Sequence, residues 1–194
     1  KTNIFLKSLI NNEFSIDDLQ ISTKQIKLND LILLARSFKN STELFLLDNV
    51  IEGGFLTADI QLEFDKNGNL RDNYEVNGFI YNANFNFFNR FSIKDLNLEF
   101  SINTKKYTLT KIKTNFNNIE LSSQLIEVVK KNDFFLIKGQ ILTKKKNFNA
   151  NQFNVLFGDL FKNSGLEKTS LSSINNFSFN INKKLKFKDL NIES

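Results

Sequence analysis

Between residues 56 and 64 the chain alternates without interruption. Leu56, Ala58, Ile60, Leu62 and Phe64 are separated by Thr57, Asp59, Gln61 and Glu63. A period of two belongs to an extended strand with one apolar and one polar face. A strand of that kind fits an antiparallel sheet wetted on one side. "DKNGN" (65–69) supplies a turn, with Asn67-Gly68 tolerating positive φ. A returning strand follows through Tyr74, Val76, Gly78 and Ile80. Near Gly78 both parities become apolar, and Tyr81, Ala83, Phe85 and Phe87 continue the line. A glycine at that switch predicts a bulge or bend. Further strands are expected at 91–102, 106–113, 118–128 and 133–142, the last with Phe135, Ile137, Gly139 and Ile141 on one face. A terminal hairpin runs through Phe177, Phe179 and Ile181 to "NKK", then Leu185 and Phe187. Proline is absent, so turns rely on Asn, Asp, Gly and Lys.

One strand pattern is broken in a repeatable way. In "FSIKDLNLEF" (91–100) the apolar parity flips across Lys94-Asp95. "FSIDDLQI" (14–21) and "LKFKDLNI" (185–192) carry the same offset, and "IKLNDLIL" (26–33) carries it loosely. One extra residue at Lys94-Asp95 would return Phe91 and Ile93 to the face of Leu96, Leu98 and Phe100, as a β-bulge does. The alternative is that one strand ends at Asp95 and another begins. Repeated use of a bulge curves a sheet.

Helices are expected in two places. From Leu28 to Ile51, Leu31, Leu34, Ala35 and Phe38 recur at helical spacing. Asn40 and Glu43 resemble a capping box opening a second short helix, "ELFLLDNVI" (43–51), which Gly53-Gly54 stops. This outweighs the strand reading of "IKLNDLIL". The stretch 149–161 carries Ala150, Phe153, Phe157, Leu160 and Phe161 at mainly helical spacings.

The expected fold class is therefore mainly β, of α+β type. It is a curved antiparallel sheet forming a groove or half-barrel, with two or three short helices. Residues 1–54 form a mixed strand and helical lead-in. Residues 55–194 form an antiparallel β-groove segment with one internal helix near 149–161. Together they read as one continuous domain, a fragment of a longer protein.

Composition bears on chemistry. The 194 residues include no Cys and no His, which removes thiol nucleophiles, imidazole bases, ordinary zinc sites and any Ser-His-Asp triad. Asp17-Asp18 and Glu63/Asp65 are the nearest carboxylate pairs, but adjacent strand residues point to opposite faces. No enzyme, cofactor or metal is expected. The net charge is +5. Lys, Asn, Ile and Phe dominate together, as AT-rich codons favour, so the Lys excess reads as base composition rather than a nucleic-acid footprint. "KKK" (144–146) reads as a turn or strand end. No apolar run approaches the roughly 18 residues a membrane helix needs; "DLILLA" (30–35) is too short.

A long apolar strand face must meet a second layer, close into a barrel, or hold a ligand. A dry core and a greasy groove both satisfy that demand. "IEGGFLTADIQLEFDKNGNL" (51–70), "YEVNGFIYNANFNF" (74–87) and the "IKDLNLEF" strand resemble the AsmA-like family of bacterial envelope proteins. The matching features are Gly53-Gly54 opening a strand, the alternating strand, the Asp65–Asn69 turn and Gly78 in the return. The resemblance covers 50–194 and carries no catalytic signature. It implies a β-groove that holds or conducts phospholipid or other acyl-chain lipid between inner and outer membranes, in the periplasm. Its partners would be that lipid, adjoining β segments of the parent, and the two membranes through the parent. The lining it implies is Leu56, Ile60, Leu62, Phe64, Val76, Ile80, Leu96, Leu98, Phe100, Phe135 and Ile137. The alternative is a structural or assembly domain that pairs with neighbours through its strand edges.

Overall fold

Among the described residues of the computed structural model, eleven strands share a single antiparallel sheet. Residues 3–11, 13–38, 42–69, 71–87, 91–149, 168–182 and 186–194 are described. In chain order the elements are β1 (Asn3–Asn11), β2 (Glu13–Ser22), β3 (Ile26–Lys27), α1 (Leu28–Phe38), α2 (Thr42–Val50), β4 (Ile51–Glu63), β5 (Glu75–Phe87) and β6 (Phe91–Asn103). They continue with β7 (Lys106–Phe116), β8 (Ile119–Lys130), β9 (Phe134–Asn149), β10 (Lys168–Asn182) and β11 (Phe187–Glu193). The strands lie side by side in the order β1-β2-β4-β5-β6-β7-β8-β9-β10-β11, and β3 pairs with β4. β1 and β11 are the two edges, so the curved sheet is open and not a closed barrel. The strands of the lead-in belong to the same sheet, with β2 pairing onto β4 from Asp18 opposite Glu63 to Ser22 opposite Asp59.

The parity flip is a bulge in all three copies. Opposite β7, β6 spends three residues from Lys94 to Asn97 where β7 spends two, Asn115 to Lys113. β11 does the same against β10, between Lys188 and Asn191. β2 has its extra residue at Asp17, between Ile16 and Asp18. Asp95 and Asp189 take positive φ, 53° and 55°. Further register shifts separate β4 from β5, β5 from β6, β8 from β9 and β9 from β10. Each bulge adds local twist and bend, and together they curl the sheet.

Gly78 has another role than the expected bend. The extra residue of β5 lies further on, where Asn82 takes φ 48°. This is why Tyr81 and Ala83 lie on different faces. Gly78 marks a close approach: a Cβ there would lie 2.2 Å from the Thr57 carbonyl oxygen and 2.6 Å from the Phe100 ring.

α1 and α2 cover one end of the sheet, meeting it at β3, β4 and β5. Leu28, Ile32, Val50 and Ile51 pack there around Ala83, which is fully buried. The stripe of α1 facing the sheet is thus Leu28 and Ile32. The expected Leu34 points to solvent at 56% exposure. The run Leu31 to Ala35 is apolar on several sides, so periodicity alone fits more than one stripe. Arg36 ties the helices together through Asp48 and lies over the Phe45 ring. The proposed cap at Asn40 and most of the segment 149–161 lie outside the described residues. "KKK" is not a turn: Lys144, Lys145 and Lys146 fall inside β9. There Lys144 pairs with Glu120 and Lys146 bonds the Asn118 carbonyl.

Candidate functional site

The register lines up one apolar residue per strand across nearly the whole sheet. Ile21 of β2 is opposite Ile60 of β4, and Ile60 opposite Val76 of β5. The row continues through Ile102, Tyr107, Val128 and Ile137 to Phe179 of β10. At the usual strand spacing these eight strands make a stripe about 34 Å long, perpendicular to the strands. Beside it on the same face runs a second row: Ala58, Gly78, Phe100, Leu109, Ile126, Gly139, Phe177 and Ile192. Its two glycines make room for neighbours, Phe100 over Gly78 and Ile126 over Gly139.

The residues between these rows form the opposite face, and they are polar. Ser22, Asp59, Asn77, Ser101, Thr108, Glu127, Lys138, Ser178 and Asn191 stand in one line across nine strands. Glu127 lies between two cations, with Lys106 Nζ at 2.9 Å and Lys138 Nζ at 3.0 Å. The Lys106 and then the Lys138 bonds hold its carboxyl below the usual glutamate value, against a smaller opposing effect of burial. Phe79 and Tyr81 also lie on this side as a stacked, exposed pair, with centroids 5.9 Å apart.

Every residue of the long apolar row is half-buried, and no described element lies across its length. The helices pack on β4 and β5 beside Leu56, Ile80 and Ala83, to one side of the row. Phe177 and Phe179 stack with centroids 5.9 Å apart, and Phe179 meets Phe187 at 5.4 Å, carrying the aromatic lining towards the β11 edge. The accessible surface is 14016 Å². A compact monomer of 22.5 kDa would show roughly 9,500 Å². An open single-layer sheet exposes more surface than a compact domain of equal mass.

The structure places ten of the eleven expected lining residues on this apolar face; Phe64 lies just past β4. Ile60, Val76 and Ile137 belong to the long row, and Phe100 belongs to the second. Leu56, Ile80 and Leu98 stand opposite one another in a third, nearer the helices. Leu96 lies opposite Ala83 under the helical roof. Leu62 lies opposite Leu19 near the far end, and Phe64 follows the last residue of β4. Phe135 reaches the Tyr107 ring, with centroids 6.4 Å apart. Leu98 and Phe100 are buried to 8% exposure, within a cluster that includes Ala58 and Ile112. They support the face rather than surface it. The residues missed are Ile21, Ile102, Tyr107, Leu109, Ile126, Val128, Phe177 and Phe179. The alternation of Tyr107 with Leu109, and of Ile126 with Val128, was the available signal.

No group of carboxylates among the described residues is arranged to hold a metal ion. No described helix is long and apolar enough to cross a membrane. The AsmA-like resemblance rests on the sequence features alone. No protein-family model matches the chain, and no curated protein or solved structure matches it.

Proposed function

We propose that the apolar face is a trough that holds or conducts acyl chains of phospholipid, as a segment of an AsmA-like protein of the bacterial envelope. One observation carries this reading: a continuous apolar row across eight strands that no described element covers. An acyl chain laid along the row covers residues that otherwise face water, and each Å² covered is worth about 25 cal/mol. Headgroups would remain above the rim, in water. The lining offers no charged anchor, which suits many weak contacts better than a single tight pocket. Transport between inner and outer membranes would belong to the longer parent, with the periplasm as its location.

The test is native mass spectrometry with lipid extraction on residues 1–194, beside an Ile102→Glu/Ile137→Glu variant. Both positions are half-buried members of the row, so circular dichroism can verify that the sheet survives. Leu98 is a poorer choice, because a glutamate at a site 8% exposed tests folding instead. Bound phospholipid that disappears from the folded variant supports the trough. A lipid-free monomer that also fails to take up added phospholipid overturns it.

A further inference from the structure

β11 is a second copy of β6. From Phe187 to Glu193 the chain reads F-K-D-L-N-I-E, and from Ile93 to Glu99 it reads I-K-D-L-N-L-E. The likeness extends to the bulge, with Asp95 and Asp189 at nearly the same positive φ. It extends also to the neighbour on one side. Asn115 of β7 is opposite Lys94, as Asn180 of β10 is opposite Lys188. Both asparagines donate to the carboxylate of the bulge.

β6 has a neighbour on its other side as well, and that interface is specific. The Asp95 N–H donates to Asn84 Oδ1 of β5 at 3.0 Å. The Asn82 N–H donates to Asn97 Oδ1 at 3.1 Å. Ala83 stands opposite Leu96, and Phe85 opposite Ile93. No described strand pairs with the corresponding flank of β11, which ends the strand order. All its residues are exposed, with Phe187 at 70%, Leu190 at 66% and Ile192 at 58%. A free edge with apolar residues invites an added strand.

We propose that the free edge of β11 docks an antiparallel strand with the chemistry of β5, supplied by polypeptide outside residues 1–194. That strand places an asparagine beside Asp189, whose amide oxygen takes the bulge N–H. It sets a small residue opposite Leu190 and an apolar one opposite Phe187. The argument is continuity: an interface built once between β5 and β6 is offered again with one half absent. A second copy of this chain fits less well. Its edge strand β1 reads N-I-F-L-K-S-L-I-N and has no small residue directly followed by asparagine, as Ala83-Asn84 is in β5. This inference does not depend on lipid binding.

The test titrates residues 1–194 with a synthetic peptide of residues 75–87, and with the same peptide carrying Asn84→Leu. Affinity is read by calorimetry and the location by amide hydrogen exchange. The unaltered peptide is expected to bind and to slow exchange across 187–193. The Asn84→Leu peptide should bind about ten-fold more weakly, the worth of one well-made hydrogen bond. Leu190→Lys in the protein, a change at an exposed position, should abolish binding with the circular dichroism unchanged. Absence of binding at millimolar peptide, or protection elsewhere in the sheet, overturns the proposal. So does peptide-independent, end-to-end self-association that Leu190→Lys removes, which would assign the edge to a second copy.

Discussion

Asn115 Nδ2 lies 3.3 Å from Asp95 Oδ2, and the pair is reproduced by Asn180 and Asp189 at 2.8 Å. In each case an amide on the adjacent strand holds the carboxylate of the bulge residue. The same bulge is tied on its other side where Asn84 Oδ1 accepts the Asp95 N–H. A bulge interrupts the ladder and leaves backbone groups to be satisfied by other means. Asparagines supply those means here, which gives the Asn-rich stretches around 82–86 and 115–118 a structural purpose.

The first expectation concerns that backbone. Asp95 sits at φ 53°, where Asp, Asn and Gly are tolerated and a β-branched residue is not. Asp95→Val should cost about 1–3 kcal/mol in urea unfolding, whereas Asp95→Gly should stay within about 1 kcal/mol of the parent. Equal stability of the two variants would mean that the positive φ is not enforced.

Two glycines on neighbouring strands should respond in opposite ways. Gly78→Ala places a methyl against the Thr57 carbonyl and the Phe100 ring, and overpacking of that kind costs about 1–3 kcal/mol. Gly53→Ala meets nothing within 4 Å. Thermal melts of the two variants should differ by several degrees, with Gly78→Ala the lower. Matching melts would deny the close approach of β5 to β4 and β6.

Acid should weaken the polar face through Glu127. Lys106 and Lys138 hold its folded pKa below the ordinary value of 4.5. Its stabilisation is therefore complete above that value and is lost as pH falls through the lower, folded one. Each exposed pair is worth roughly 0.2–1 kcal/mol. Stability measured from pH 6 downward should fall less steeply in Glu127→Gln. An unchanged slope would show that the two lysines do not hold the carboxylate in solution.

The helical roof depends on a residue too small to displace it. Ala83 is fully buried between Gly54 and Leu28. Ala83→Leu should lift α1 from β4 at a cost of about 1–3 kcal/mol, and hydrogen exchange should rise in 28–38 before it rises in β7 or β8. Uniform exchange through both regions would mean that helices and sheet open as one unit.

How far the architecture could be read from sequence depended on the range of the interaction involved. The alternation of Leu56 to Phe64 and the parity flip at Asp95 are local signals, and each corresponds to a strand or a bulge. The first half of β10 was missed because Ser170, Ser172 and Ser173, with Asn175, blur its two faces. "KKK" reads equally as a turn or a strand end, and only the strand holds, because three adjacent cations look solvated until their partners are known. Inside β9, Lys144 and Lys146 find Glu120 and the Asn118 carbonyl. The rows themselves could not be read. Val76 meets Ile102, and Val128 meets Ile137, only through registers that several bulges shift. Most lining residues on β4 to β6 follow from their patterns; on β7 and β8 alternation marks an apolar face, and only the pairing shows that Tyr107 and Val128 join the same row as Ile60.

The bulges also set what lengths of chain this sheet can absorb. Each strand carries a single binary phase, apolar on one side or on the other, and one residue added or removed inverts everything beyond it. Asp17, Asn82, Asp95 and Asp189 are among the places where a strand has already taken an odd residue and recovered. Within the strands, tolerated insertions and deletions should therefore come in twos. A single-residue change should be accepted only where an existing bulge can give up its spare residue or where a new one can form.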